Sequence, residues 1–157
     1  MSTRRASILI ETIIAVTMLG IAVPVGVSWM QTAAADRADA VSSLRASAMA
    51  TSIAEHIIAD SVSSAAGLGM DAMENAAAYL DTPSTGLRAR LATLLAPYSA
   101  ARFTYEVQIG PLVGPQGSAT GNEELDVVRR VTIVVRAPGA RGGTLDLSLS
   151  LMITDPA

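Results

Sequence analysis

Cysteine and lysine are both missing from these 157 residues, and aromatic side chains make up only 3%. Without cysteine there is no disulfide framework and no thiolate metal site, and the redox compartment is not written into the chain. Without lysine there is no phosphate-loop ammonium and no Schiff-base chemistry. Histidine occurs once, at His56, which leaves neither a zinc set nor a partner for a serine nucleophile, and no G-x-S-x-G elbow is present. Cationic clustering is absent too. The eleven arginines are scattered among fourteen acids, the net charge is −3, and only Arg4-Arg5 and Arg129-Arg130 are adjacent. A phosphate-binding surface needs concentrated cations, so nucleic acid is not an expected partner. Arg129-Arg130 reads as part of an exposed strand face. These absences point to a chain that is not an enzyme and carries no cofactor.

What the chain does have is an uncharged run of nineteen residues, Thr12 to Met30, preceded by Arg4, Arg5 and Glu11. About 20 apolar residues cross a ~30 Å hydrocarbon core as a helix, so this run can span a membrane. The two arginines before it, with no cation after it until Arg37, predict a cytoplasmic N-terminus and the remainder across the membrane. Trp29 then falls at the far interface. Glu11 stands out, because a carboxylate next to hydrocarbon costs a few kcal/mol and is kept where a partner neutralises it or a function needs it. Pro24 cannot donate to the carbonyl of Gly20, which permits a kink or local unwinding there.

The block Arg4-Arg5-Ala6-Ser7-Ile8-Leu9-Ile10-Glu11, followed by the apolar run, resembles the processing site of type IV prepilins and type II secretion pseudopilins. In those families a short basic leader ends in Gly, and the mature chain begins Phe-Thr-Leu-Ile-Glu or a close variant. Here Ala6 stands in place of that Gly, Ser7 in place of the usual Phe or Met, and Ile8 in place of Thr. The resemblance covers about the first thirty residues. It implies cleavage by a prepilin peptidase between Ala6 and Ser7, N-methylation of Ser7, and an assembly role for Glu11 paired with a neighbour's terminal amine. It also implies inner-membrane lipid and sibling pilins or pseudopilins as partners, with the C-terminal domain periplasmic before incorporation into a filament. The chain length, the Ile53 to Ile58 stretch and the terminal hairpin are most similar to the minor I or V type subunits. The expected organisation is a leader at 1–6, a transmembrane segment at 7–30 and a periplasmic pilin-like domain at 31–157.

Two other readings of the N-terminus stay open. Ala33-Ala34-Ala35 supplies an A-x-A site, so the segment could be a secretory signal, although an h-region usually runs only 7 to 15 residues. Alternatively the run is a static single-pass anchor with Glu11 tolerated beside the positive end of the helix dipole.

Beyond the membrane, Gln31 to Ser64 lacks Pro and Gly, so one helix is expected to run from the N-terminus to about Gly67. Leu44, Met49, Ile53, Ile57, Ile58 and Val62 make its apolar stripe, with Asp60 off it, and His56 is a surface or packing residue. Two short helices are predicted at 71–80 and 87–95. Strict alternation predicts strands around Phe103 to Ile109, Arg130 to Arg136 and Thr144 to Ile153, the last two joined as a hairpin by the Pro138-Gly139 turn. Gly110 to Asn122 reads as a loop, and Asn122, Glu123, Glu124 and Asp126 as a solvated acidic turn whose spacing fits no EF-hand. The fold class expected is α+β: a long helix laid on an antiparallel sheet.

Overall fold

The computed structural model describes residues 3–120 and 125–154. It divides into two units, Met1–Ala40 and Val41–Ala157. Helix α1, Thr3–Ser61, supplies all the described secondary structure of the first unit and opens the second. In the first unit Ile10, Ile13, Val16, Leu19, Ile21, Val23 and Val27 are all exposed. Their positions go all the way round the helix, so this stretch is not a surface helix with one dry face. By length and composition such a helix can cross a membrane, and a signal sequence meets the same criterion.

The second unit continues with a 3₁₀ turn, Asp71–Glu74, then α2, Ala76–Asp81, and α3, Leu87–Ala100. Three strands follow: β1, Thr104–Val113, β2, Val128–Pro138, and β3, Thr144–Thr154. They form an antiparallel meander in the order β1-β2-β3. Period-two alternation sends Val131, Ile133 and Val135 of β2 to one face, where they are fully buried with Met49, Ile53 and Ile57 of α1 and Leu87 and Leu91 of α3. A long N-terminal helix, apolar in its first half and packed in its second on a three-stranded antiparallel sheet, is a pilin-like architecture.

Five local expectations need correction. The buried stripe of α1 is Ala46, Met49, Ala50, Ile53, Ala54 and Ile57, continued by Asp60 and Ser61. Leu44 and Val62, at 71% and 67% exposure, lie off it with Ile58. The small side chains of Ala46, Ala50 and Ala54 are buried in the same core as the large ones. The helix also stops at Ser61, short of Gly67. The Ser61 hydroxyl bonds back to the Ile58 carbonyl, and the Ser63 and Gly69 amides both donate to the Asp60 carbonyl. Serine hydroxyls offer the backbone these alternatives to further helix. Gly69 completes the closure at φ +94°, where a side chain would be strained.

The predicted helix at 71–80 is split by Asn75, whose side-chain oxygen accepts from the Ala78 amide and caps α2. Helix α3 outlasts its expected end at Leu95 and carries Pro97 in its last turns. Finally, β1 continues through Gly110 to Val113, with a register shift between Ile109 and Leu112. Gly110 and Pro111 form this irregularity. A strand can absorb both residues where its ladder is already broken.

Among the described residues, every fully buried large side chain belongs to residues 49–135. Deleting residues 1–30 is therefore expected to leave a folded domain. Circular dichroism should show mixed helix and strand with one cooperative melt, and a disordered fragment would mean that the sheet depends on a partner chain.

Candidate functional site

Two places concentrate polar groups against an apolar background: the start of α1 and the junction of α1 with α2 and α3.

At the start of α1, Ala6, Ser7 and Glu11 lie within one unbroken helix. Ser7 and Glu11 are four residues apart, and i, i+4 positions share a helix face. The Glu11 side chain is exposed among Ile8, Ile10, Ile13 and Ile14. Among the described residues nothing pairs with it. The neighbouring hydroxyls are handled differently. Thr12 donates to the Ile8 carbonyl at 2.8 Å and Thr17 to the Ile13 carbonyl at 2.7 Å, so both are satisfied within the helix. Glu11 is thus, among the described residues of this stretch, a charged group with no partner along α1. The helix runs without unwinding through Gly20 and Pro24. A side chain at Gly20 would meet nothing, so within one chain no packing demands a glycine there.

The second place lies where α1 meets α2 and α3. Asp60 is 5% exposed on the core face of α1, and its carboxylate receives three hydrogen bonds. The Tyr79 hydroxyl of α2 donates to Oδ2 at 2.5 Å, while Arg90 of α3 donates through Nη1 to Oδ1 at 2.7 Å and through Nη2 to Oδ2 at 2.5 Å. Arg90 also donates through Nε to the Thr85 carbonyl and stacks its guanidinium 5.9 Å from the Tyr79 ring centroid. Burial, reinforced by the Asp60 carboxylate, pushes the Tyr79 phenol well above its ordinary value. Its hydrogen bond to Asp60 raises Arg90 likewise. The cluster ties three helices together at one buried carboxylate. Its sequence signal was available: Asp60 falls at i+7 from Ile53 and i+11 from Met49, in phase with the buried stripe.

Arg129 is the other correction. It is 3% exposed, while its neighbour Arg130 is exposed, because adjacent strand residues face opposite ways. Its Nη1 donates to the carbonyls of Met73 and Gly110, both at 3.1 Å, and its Nε has no partner. Gly110 lies at the β1 irregularity, so the guanidinium satisfies a carbonyl where the ladder is interrupted. Burial holds the Arg129 guanidinium below its ordinary value, partly offset by Glu74.

A cleft of about 400 Å³ is lined by Met49, Ala92, Leu95 and Phe103 together with Arg88, Ser99, Thr104 and Tyr105. Arg88 is already engaged with Asp81 at 2.7 Å. A second cleft of about 420 Å³ includes Asp71, Asn75, Tyr79, Thr82 and Thr85. Neither lining contains His56, which is exposed on α1. Among the described residues no three His, Asp or Glu side chains gather as a metal site. Asp126 accepts from the Thr120 amide and hydroxyl, and the remainder of the expected acidic turn, Asn122, Glu123 and Glu124, lies outside the described residues.

Compared with known proteins, the chain matches no family model, no curated protein and no solved structure.

Proposed function

We propose that this chain is a minor pseudopilin or minor pilin: a structural subunit held in the cytoplasmic membrane by the first half of α1 and drawn from there into a periplasmic filament or its tip. The observation that carries the reading is Glu11, an acid with no partner among the described residues at the head of a helix that is apolar all round. A lone carboxylate is a burden to a static anchor and an asset to a helix that will meet another chain's cation in low dielectric. The pilin-like architecture supports the reading, as do the basic leader and the small Ala6 before Ser7. On this proposal prepilin peptidase cuts between Ala6 and Ser7, Ser7 acquires a methylated α-amine, and that amine pairs with Glu11 of a sibling subunit. The protein acts as a building element with no catalysis and no cofactor. The N-terminus is cytoplasmic, the sheet domain periplasmic.

Intact-mass measurement of the membrane-extracted protein tests this. The expected result is loss of residues 1–6. Loss of residues 1–35 would instead make the segment a secretory signal that releases a soluble domain, and an uncut chain would make it a static anchor.

A further inference from the structure

We draw no further inference here: the strongest candidate, the cleft between α3 and the start of β1 that holds Arg88, Ser99 and Tyr105 around Met49, Leu95 and Phe103, carries nothing, because Arg88 is already paired with Asp81, the three apolar side chains are already buried by the chain itself, and nothing in the structure shows what covers it.

Discussion

Replacing Asp60 with alanine is expected to destabilise the fragment lacking residues 1–30 by about 3 kcal/mol, read as a fall in melting temperature of about 10 °C. Three helices meet at this carboxylate. Its removal leaves the Tyr79 hydroxyl without an acceptor in a buried position, a loss of about 1–3 kcal/mol. It also strips Arg90 of both its bonds to the carboxylate. Removing one member of a buried pair typically costs about 3–5 kcal/mol, but Arg90 retains 31% side-chain exposure and water can take over part of its solvation, so the lower end applies. Asp60→Asn keeps an acceptor for Tyr79 and should cost less than the alanine change. The double variant Asp60→Ala with Arg90→Leu should lose less than the sum of the two single changes, because the stranded cation is gone. Chemical and thermal denaturation of the parent fragment and the four variants would measure this. Strict additivity, or a cost below about 0.5 kcal/mol for Asp60→Ala, would reduce the cluster to a surface contact.

That clamp also shows where sequence reasoning succeeds and stops. The three strands were legible because alternation has a period of two and the inner residues are large: Val131, Ile133 and Val135 leave no ambiguity of face. The long helix was legible from the lack of breakers. Its buried face is not, because side-chain bulk alone does not mark it. Leu44, Ile58 and Val62 are more apolar than Ala46, Ala50 and Ala54, yet the alanines make the contact. Asp60 was set aside as polar although it shares the phase of Met49, Ile53 and Ile57, and a charged residue in phase with a dry stripe is itself a signal of a buried partner. Arg129 and Arg130 are adjacent in sequence, but strand geometry sends them to opposite faces, one buried and one exposed. Nothing local announces that Met73 and Gly110 would offer carbonyls to Arg129, since both are distant in sequence and brought near by the fold. At the start of α1 the structure adds the isolation of Glu11; the cleavage and methylation expected at Ala6 and Ser7 rest on the sequence block.

Glu11→Gln is expected to leave membrane insertion unchanged or improved while lowering incorporation into filaments at least tenfold. The two signs differ because the carboxylate has different surroundings in the two states. In the lone helix nothing in the described chain offsets its cost, and neutralising it removes a penalty of up to ~3 kcal/mol near hydrocarbon. In an assembly the proposed partner is the α-amine of a neighbour's Ser7, and a matched pair in low dielectric both offsets the desolvation of each charge and fixes the axial register between helices. Losing as little as ~1.4 kcal/mol of that coupling is already a factor of ten. A static anchor would show only the first effect. Cells expressing the whole machine would be compared for the level of the variant in membranes and its recovery in sheared filaments, with cross-linking through a cysteine placed near Ser7 as a second readout. Glu11→Asp retains the charge but shortens the reach, so it should recover part of the incorporation that Gln loses, whereas a helix-capping role would be served by Asp as well as by Glu. Wild-type incorporation by the Gln variant would sink the assembly role and return Glu11 to an interfacial acid at the positive end of a helix.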